Sequence, residues 1–381
     1  MQKPKGFKQI VIHPIKRRVA KYYLLFLRRL FGLKVIGITG SAGKTSTKEM
    51  LASILSLNGN TVKSRANIDP VYNIPTTILK CTPWTRYLVL EMGVEFKGEM
   101  KFYLWLARPD VGVITNIYPT HTEFFGNVDG VFAEKKQLVE GLSENGIAVL
   151  NVEDKILKKL KNKLKAKIVW YGKGTKINSK KEKPSGTIRN FQLFLGGKKI
   201  EVNLPVLGRK FVSNALAAAA VAKHFGVSNT KIKKGLETFD VPEHRMRIIK
   251  HPSGAMILDD SYNNNPVAAE EALKAFHEIS KGKERIVVMG DMLELGSIEE
   301  QAHNDLGEKL ARLDLSYLVG VGPASKVMIK TAKSKLKDKA VWAQDYKEAY
   351  KMIEGKLSKN TALLVKGSRS IKIEKLIDKL S

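Results

Sequence analysis

The sequence predicts an α/β protein made of two consecutive domains, a central domain with a mostly parallel sheet and a Rossmann-like α/β domain that follows it. Short apolar runs alternate with helical stretches along most of the chain, which is typical of parallel sheets covered by helices on both faces. A glycine-rich turn at Gly40–Thr45 stands between the first apolar run and a helical stretch. The alternation breaks near residue 242 and then begins again, which indicates a domain boundary there.

Three segments are expected in the 381 residues, a length that allows more than one hydrophobic core. Residues 1–34 form a basic amphipathic segment. Residues 35–242 form the central domain, and residues 243–381 form the C-terminal domain.

The N-terminal segment contains a helical pattern, because apolar side chains recur at helical spacing between Val19 and Phe31. Basic residues flank this stripe: Arg17, Arg18, Lys21, Arg28 and Arg29. Two interpretations stay open, a helix that lies on a membrane surface and a helix that docks on the central domain with its basic face in water. No apolar run approaches the roughly 20 residues needed to span a bilayer, and Tyr22–Leu27 is too short for a signal peptide. We therefore expect a cytoplasmic protein for which contact between residues 1–34 and the inner membrane surface is an option.

The net charge is +29, from 66 Lys and Arg against 37 Asp and Glu. A field of this sign attracts polyanions such as nucleic acid, anionic lipid or a phosphorylated substrate. The surplus is mostly lysine spread over the whole chain, and the sequence has no RNA-recognition motif, zinc finger or arginine-rich tract. We therefore favour a solvated basic surface over specific nucleic-acid binding. The single cysteine, Cys81, excludes a disulfide framework and a thiolate zinc cluster.

Short apolar runs and helical periodicity predict the elements of the two domains. In the central domain, strands are predicted at 35–39, 87–91 and 111–115, helices at 47–57 and 213–225, and smaller strands within 174–205. In the C-terminal domain, strands are predicted at 255–259, 285–289, 317–321 and 362–365, with helices between them and after the last. Ligands in open α/β sheets bind at the carboxyl ends of strands, so a polar residue there, such as Glu91, is a candidate site residue.

The turn Gly40-Ser41-Ala42-Gly43-Lys44-Thr45 predicts a phosphate-binding loop. A glycine-rich turn from a strand into a helix lets backbone N–H groups and the helix dipole surround phosphate oxygens. The Lys44 ammonium would contact the terminal phosphates, and the Thr45 hydroxyl oxygen would bind Mg²⁺. The spacing is shorter than the common G-x-x-x-x-G-K pattern, because Ile38 stands where that pattern has glycine. With a strand before it and a helix after it, the turn indicates a P-loop-type domain that binds ATP.

Several separate segments resemble the Mur ligase family over roughly residues 35 to 381. They are GITGSAGKTST, EMG at 91–93, ITNIYPTHTEFFG at 114–126, DDSYNNNP at 259–266, GDMLELG at 290–296 and VKGSR at 365–369. The last three are most similar to the MurF branch, whose members add D-alanyl-D-alanine to a UDP-muramoyl tripeptide. The resemblance implies that the central domain binds ATP, that the C-terminal domain is a ligase domain, and that the cofactors are ATP and Mg²⁺.

The resemblance also implies a reaction, in which ATP phosphorylates a carboxylate and an amine attacks the acyl phosphate. The implied nucleotide-binding residues of the loop are Gly40, Ser41, Ala42, Gly43, Lys44, Thr45 and Ser46. In the family, the counterparts of Glu91 and His121 bind magnesium, which with cations neutralises developing charge. The family also has a carbamylated lysine, a carboxylate analogue, at the position of Lys135. Lys136 is adjacent, so the register stays open by one residue, and the spacing favours Lys135.

Further ligand contacts follow from the resemblance. Arg245 would contact the nucleotide or its γ-phosphate when the domains close, Asp260 the ribose or base, and Asn214 the adenine. The implied substrate-binding residues are Asn67, Tyr262, Asn263, Asn265, Lys366, Ser368 and Arg369. The last three would border the dipeptide carboxylate, for which cations and a hydroxyl are suited.

The sequence departs from the pattern of the MurF branch at four places. His244 stands before Arg245 where that branch usually has glycine, and Lys210-Phe211 replaces the His-Asn that usually precedes the adenine-contacting asparagine. The loop from Asn67 to Pro75 keeps its end residues but differs inside. About 34 residues precede the first strand, too few for the N-terminal domain that grips the UDP part of the substrate in that branch, so UDP-sugar recognition is not assumed.

We predict an ATP-dependent amide ligase of cell-wall precursor synthesis, a monomer that joins a muramoyl-peptide carboxylate to D-alanyl-D-alanine. One alternative is a Mur-superfamily ligase with a poly-amino-acid, folate-like or pseudomurein-type substrate. Another is a non-catalytic relative that binds a membrane or nucleic acid through its basic N-terminus. The joint presence of Lys44, Thr45, Glu91 and His121 argues against the non-catalytic alternative, because such a relative has no use for a metal set.

Overall fold

The structure is a computed structural model that describes residues 13–65 and 68–380. Its strands are β1 (Lys34–Thr39), β2 (Thr61–Lys63), β3 (Tyr87–Glu91), β4 (Val111–Ile114), β5 (Ile147–Asn151), β6 (Lys167–Tyr171), β7 (Ile177–Ser185), β8 (Ile188–Leu195), β9 (Lys198–Leu204), β10 (Arg247–Lys250), β11 (Met256–Asp260), β12 (Glu284–Gly290), β13 (Tyr317–Val321), β14 (Ala340–Ala343) and β15 (Thr361–Lys366). Its α-helices are α1 (His13–Phe31), α2 (Lys44–Ser56), α3 (Pro70–Ile78), α4 (Glu99–Leu106), α5 (Thr122–Phe125), α6 (Val128–Glu140), α7 (Lys210–His224), α8 (Asn229–Glu237), α9 (Pro266–Ile279), α10 (Glu299–Ala311), α11 (Ser325–Leu336), α12 (Tyr346–Ile353) and α13 (Glu374–Leu380).

Two six-stranded sheets form the framework. The first has the order β2-β3-β1-β4-β5-β6 and is parallel throughout. The second has the order β10-β11-β15-β12-β13-β14 and is parallel except for its edge strand β10. The small strands expected within 174–205 form a separate antiparallel sheet, β7-β8-β9. The predicted α/β fold class, with two successive sheets, is confirmed.

Helices cover both faces of the first sheet. Strand β1 is buried from Val35 to Thr39, because a strand covered on both faces has no polar side. Ile36 and Ile38 pack in a hydrophobic cluster with side chains of α2 and α7. The sequence of α7 is rich in alanine, which allows α2 and α7 to pack closely. Val35 points the other way, into a cluster with side chains of α1, α4 and α6. The period of two along the strand therefore divides the core into two layers.

The second sheet is built in the same way. Leu258 and Val287 pack in one layer with α9 and α10, and their neighbours Ile257 and Val288 pack in the other with α12 and α13. Continuous apolar runs, rather than alternating ones, are therefore the signal that its central strands give in the sequence.

Helix α1 docks on the central domain through Ala20, Leu24 and Leu27, and it contacts α3 and α4. The Tyr23 hydroxyl donates a hydrogen bond of 2.8 Å to the Cys81 carbonyl. The opposite face of the helix carries exposed apolar side chains, so the expected docking on the central domain uses only one face. Within residues 13–65 and 68–380, every helix falls short of the length and hydropathy needed to cross a bilayer.

A buried ion-pair group connects the small sheet to the C-terminal part of the fold. Arg189 of β8 is fully buried and its Nη2 lies 2.7 Å from Glu278 Oε2 at the end of α9. Arg209, just before α7, contacts the other carboxylate oxygen of Glu278 at 2.5 Å. One carboxylate of α9 therefore binds two arginines, one from the small sheet and one from the segment before α7.

Candidate active site

A cleft of about 440 Å³ lies between the two large sheets. On one side it is lined by the turn after β1, by the carboxyl end of β3 and by His121, which follows β4. On the other side it is lined by the carboxyl ends of β11 and β15. This is where parallel α/β sheets bind ligands, and here two such edges face each other.

The phosphate loop depends on glycine at two positions. Gly40 has φ +145° and Gly43 has φ +81°, a region that side chains rarely adopt. A Cβ atom on Gly40 would lie 2.0 Å from Thr115 Oγ1, and one on Gly43 would lie 2.3 Å from Asn214 Oδ1. Gly43 also begins α2 without a capping side chain, so the N–H groups of the first turn can bind an external anion.

Residues that follow β4 hold the loop in place. The Asn116 side chain accepts a hydrogen bond from the Ala42 N–H at 2.8 Å and donates one to the Ala42 carbonyl at 3.0 Å. The Ser41 N–H donates to the Asn116 carbonyl at 3.0 Å, and the Ser41 hydroxyl donates to the Tyr118 carbonyl at 3.0 Å. Asn116 thus positions the loop, a role that was not predicted although the residue lies in the segment 114–126.

Lys44, Thr45 and Glu91 meet at the mouth of the loop. Burial lowers the pKa of the Lys44 ammonium, which donates a 3.0 Å hydrogen bond to the Gly40 carbonyl. The Thr45 hydroxyl donates to Glu91 Oε1 at 2.9 Å. The fully buried Lys48 has its ammonium 3.5 Å from Glu91 Oε2. The carboxylate at the end of β3 is therefore held between a hydroxyl and a cation.

The Thr45–Glu91 pair fits a magnesium ion by its chemistry. Hydroxyl and carboxylate oxygens are the hard donors that Mg²⁺ prefers, and Mg²⁺ commonly takes its other ligands from phosphates and water. Across the described part of the chain, no group of three or more His, Cys, Asp and Glu side chains is arranged as a complete metal site. The protein therefore offers a partial ligand set that a nucleotide would complete.

Lys135 of α6 is fully buried behind the cleft wall, and its ammonium nitrogen has no hydrogen-bond partner within the described structure. Burial holds the pKa of Lys135 well below its ordinary value, and the nearby charge of Lys44 lowers it further. Lys136, in contrast, forms an ion pair of 2.6 Å with Glu140 near the surface. The two candidate lysines therefore differ sharply in their surroundings, because burial favours the neutral amine of Lys135 whereas Lys136 is ion-paired near the surface.

His121 reaches across the cleft. It has a left-handed backbone with φ 55°, and its Nδ1 lies 2.5 Å from Glu294 Oε2. The close contact with His121 lowers the pKa of Glu294. The adjacent Thr122 hydroxyl donates to the Leu295 carbonyl at 2.9 Å. His121, one of the residues expected to bind metal, and its neighbour Thr122 therefore contact the GDMLELG segment directly.

The C-terminal side of the cleft is a paired network rather than a set of free charges. The Lys366 ammonium lies 2.6 Å from Asp260 Oδ2 and donates to the Asn263 carbonyl at 2.9 Å. The Arg245 guanidinium stacks 4.2 Å from the centre of the Tyr262 ring. Because Asp260 neutralises Lys366, a substrate carboxylate would have to compete for this cation.

The cleft brings together fourteen of the predicted site residues: Ser41, Ala42, Gly43, Lys44, Thr45, Glu91, His121, Arg245, Asp260, Tyr262, Asn263, Asn265, Lys366 and Ser368. Four others are absent from its lining, namely Gly40, Ser46, Lys135 and Asn214. The last of these packs against Gly43 beneath the loop. Asn67 lies outside the described residues, as does the side chain of Arg369.

Several lining residues had not been predicted, among them Arg65, Asp69, Asn73, Glu95 and Glu99. Burial raises the pKa of Glu95, which lies between Glu91 and Glu99 in the sequence, four residues from each. The position of Glu95 is a usable signal in the sequence, because it comes four residues after Glu91, the last residue of β3. Arg65 gives no such signal, because it is a lone cation in a loop.

A phosphate loop that faces a second α/β domain across a cleft of acids and cations defines an ATP-dependent enzyme with a second ligand site. Comparison with protein families matches residues 38–222 to the Mur ligase middle domain and residues 244–369 to the Mur ligase glutamate ligase domain. The UDP-N-acetylmuramoyl-tripeptide--D-alanyl-D-alanine ligase of Bacillus subtilis is 30% identical over 365 residues, which are 96% of this chain and 78% of that protein.

Solved structures agree with this assignment. A crystal structure of MurF from Acinetobacter baumannii has a TM-score of 0.88 and 31% identity, and the match covers 97% of this chain and 80% of that one. The MurF ligase of Thermotoga maritima in complex with ADP has a TM-score of 0.86 over 100% of this chain and 86% of that one, and at 24% identity it supports the fold alone. The chain belongs to the Mur ligase family, and it is an ATP-dependent ligase.

Proposed function

We propose that this ligase joins the carboxylate of a muramoyl-peptide-like acid to the amine of D-alanyl-D-alanine in peptidoglycan precursor synthesis. Relatives named for that reaction support the substrate assignment. The observation that carries the chemistry is the single cleft in which Lys44, Thr45 and Glu91 face Asn263 and Lys366. ATP and an acceptor amine could therefore reach the same space from opposite domains.

In the first step, a carboxylate oxygen of the acid attacks the γ-phosphorus of ATP, and the bond to the ADP oxygen breaks. The N–H groups at the start of α2 would hold the phosphates, and the Lys44 ammonium would neutralise the charge that develops on the transferred group. A bound triphosphate would counter the burial that lowers the pKa of Lys44, because nearby negative charge favours the protonated form. Arg245, on the other domain, lines the same cleft and would add a second cation after closure.

Magnesium would be held by Thr45 and Glu91, with His121 and a carbamylated Lys135 as further ligands. When bound, the ion supplies neutralisation of the phosphoryl oxygens. Lys135 is proposed for carbamylation because a buried amine without a hydrogen-bond partner favours the neutral, reactive form.

In the second step, the amine nitrogen attacks the acyl carbonyl carbon, an amide bond forms, and phosphate leaves with the electrons of the carbon–oxygen bond. The attacking amine must lose a proton. Glu91 would accept it, and Glu95 is a second acceptor in the same cleft, since burial raises its pKa towards the range that suits a general base. The products are the amide, ADP and phosphate.

The same family membership supports a wider picture of the molecule. We infer a cytoplasmic monomer with three segments: a basic amphipathic segment at 1–34, the ATP-binding domain at 35–242, and the C-terminal ligase domain at 243–381. Asn214, Asp260 and the loop residues would bind the nucleotide, while Tyr262, Asn265 and Ser368 would border the acceptor.

The proposed function is tested by mass spectrometry of reactions that contain ATP, Mg²⁺, UDP-muramoyl tripeptide and D-alanyl-D-alanine. We expect the pentapeptide product and one ADP per product. Thr45→Val and Lys44→Met are expected to lower kcat by about 100-fold or more, because each removes charge stabilisation of the transferred phosphoryl group. Ser56→Ala, at the far end of α2, is the matched control and is expected to retain activity. Lys135→Ala is expected to lose activity and to regain part of it with added short carboxylic acids.

Different outcomes would redirect the proposal. ADP release with a folate-like or poly-amino-acid acceptor, but none with the muramoyl peptide, would overturn the substrate assignment and keep the ligase chemistry. Full activity of Lys135→Ala without added acids would remove that residue from the metal set.

A further inference from the structure

Helix α1 has two apolar faces, and among residues 13–65 and 68–380 only one of them is covered by the rest of the fold. Ala20, Leu24 and Leu27 are buried against the central domain. A second set is exposed and recurs at spacings of three and four, which places it along one side of a helix. We call this set the outer face of α1, and it consists of Ile15, Arg18, Val19, Tyr22, Leu25, Phe26, Arg29 and Leu30.

The outer face is more apolar than a solvated surface requires. Tyr22 is 67% exposed and Leu30 is 62% exposed, and both are adjacent to other exposed apolar residues of the face. Single exposed apolar side chains are ordinary, whereas contiguous ones mark an interaction site. A helix docked only for its own stability would have needed polar residues at these positions.

The charge around this face is of one sign. The helix sequence contains six Lys and Arg residues and no acid, and the first acidic residue of the chain is Glu49. Arg28 is neutralised by Asp110 at 2.8 Å, while Arg17 and Lys21 lie over the rings of Phe102 and Trp105 at the border of the helix. Arg18 and Arg29 remain on the outer face itself, beside the apolar side chains.

We propose that the outer face of α1 binds the surface of an anionic lipid bilayer, with the helix lying in the plane of the interface. Its apolar side chains would enter the boundary between headgroups and acyl chains, and Arg18 and Arg29 would contact lipid phosphates. Charge decides between this occupant and a second copy of the chain, because two outer faces would bring arginines together without an acid to pair them. A nucleic acid offers phosphates but no apolar phase for Leu25 and Phe26.

The position of α1 relates this surface to the proposed active site. Helix α1 contacts α3 and α4, and residues at the start of α3 and along α4, such as Asp69, Asn73 and Tyr103, line the cleft. One layer of helices therefore separates the outer face from the cleft. Binding to lipid would hold the ligase beside the bilayer without using any residue of the cleft, so the inference goes beyond the proposed function and does not rest on it.

The test is co-sedimentation of the full chain with phosphatidylglycerol vesicles and with phosphatidylcholine vesicles at about 0.1 M salt, where surface electrostatics are still felt. Binding to the anionic vesicles alone is expected. The double substitution Tyr22→Ser with Phe26→Ser is expected to lower the partition coefficient by about tenfold, because it removes apolar area from the interface. Arg18→Gln with Arg29→Gln is expected to lower it by a similar factor.

Matched controls keep the result specific. Trp84→Ser removes an aromatic side chain that is 78% exposed elsewhere, and Lys333→Gln with Lys335→Gln removes the same charge from α11. Both controls are expected to bind like the wild type, and the thermal melts of all variants show whether they are folded. Absence of binding by the wild type would overturn the proposal. Equal binding by the wild type and by the variant with Tyr22→Ser and Phe26→Ser would also overturn it, because it would indicate attraction by net charge alone. A wild-type dimer that this variant converts to a monomer would overturn it as well.

Discussion

His244 is a residue whose identity conflicts with its backbone. It has φ 59°, in the left-handed region that favours glycine, and it precedes Arg245 at the start of the C-terminal domain. Its Nδ1 lies 2.9 Å from Asp259 Oδ2, a carboxylate that is almost fully buried. The left-handed backbone costs a residue with a Cβ about 1–2 kcal/mol, and the contact with a buried carboxylate offsets that cost.

Substitution of His244 is expected to separate these two effects. His244→Ala keeps the unfavourable backbone and loses the hydrogen bond, so we expect it to lower the free energy of unfolding by about 2 kcal/mol. His244→Gly loses the same hydrogen bond but relieves the backbone, so it should be more stable than the alanine variant by about 1 kcal/mol. Urea unfolding of both variants measures the difference. An alanine variant as stable as the glycine variant would show that the strain is absent.

At the scale of elements, α9 illustrates how charged side chains join neighbouring helices. Glu270 lies 2.7 Å from Lys274 one turn along the same helix and 2.8 Å from Lys309 of α10. These two hydrogen bonds lower the pKa of Glu270 to about 2, from an ordinary value of 4.5. The group is largely exposed, so its contribution to stability is expected to be small.

The pH dependence of Glu270→Gln follows from the sign of this shift. A carboxyl group with a depressed pKa stabilises the fold above its unfolded value and loses that effect as the pH falls through its folded value. We therefore expect Glu270→Gln to cost less than about 1 kcal/mol at pH 7. The difference from wild type should begin to shrink below pH 4.5 and vanish near pH 2. Denaturant titrations between pH 7 and the acid limit of folding measure it, with Glu308→Gln as the exposed control. A difference that grows on acidification would contradict the assignment.

Sequence reasoning succeeded for several apolar elements, although β5, which is buried at every position, was not predicted. Strands β3 and β13 were predicted at their observed bounds, because each is a run of apolar residues covered on both faces. Helix α7 begins three residues earlier than predicted, because its first turn, from Lys210 to Val212, precedes the alanine-rich run that indicates the helix in the sequence. Strands β2 and β14 were missed because they are short edge strands of three and four residues, whose position depends on a neighbour that is remote in sequence.

For the molecule as a whole, Glu278 is the residue that ties distant segments together. It receives the buried Arg189 of the small sheet and the exposed Arg209 before α7, while it belongs to a helix of the second large sheet. Any closure of the two domains during the reaction has to preserve these contacts or exchange them.

Removal of Glu278 is expected to have a large effect. Glu278→Ala leaves Arg189 charged and buried without its carboxylate, and breaking a buried pair in this way typically costs about 3–5 kcal/mol. Arg209→Ala removes a side chain that is 63% exposed and should cost less than about 1 kcal/mol. Equilibrium unfolding of both variants gives the comparison. Equal, small losses for the two would show that Arg189 is hydrated once the carboxylate is gone.

The parts of the site formed by residues close together in the sequence could be predicted, and the parts formed by segments far apart in the sequence could not. The phosphate loop could be derived from consecutive residues, because a turn and a helix start are local structures. His121 and Lys135 needed a resemblance to known ligases, since nothing in their neighbours distinguishes them from structural residues. The contact between His121 and Glu294, and the neutralisation of Lys366 by Asp260, could not be predicted, because each joins segments that only the tertiary fold brings together.

The phosphate loop admits variation at some positions and none at others. Gly40 and Gly43 each carry two separate constraints, a positive φ and a neighbouring atom inside the space of a methyl group. A change elsewhere that makes room for a methyl group would leave the positive φ in place, so no single compensating substitution allows another amino acid at either position. Ala42 between them is half-buried and has neither constraint. As the sequence of this chain evolves, substitutions in the loop are therefore expected between the two glycines, while Gly40 and Gly43 stay unchanged for as long as the loop keeps this conformation.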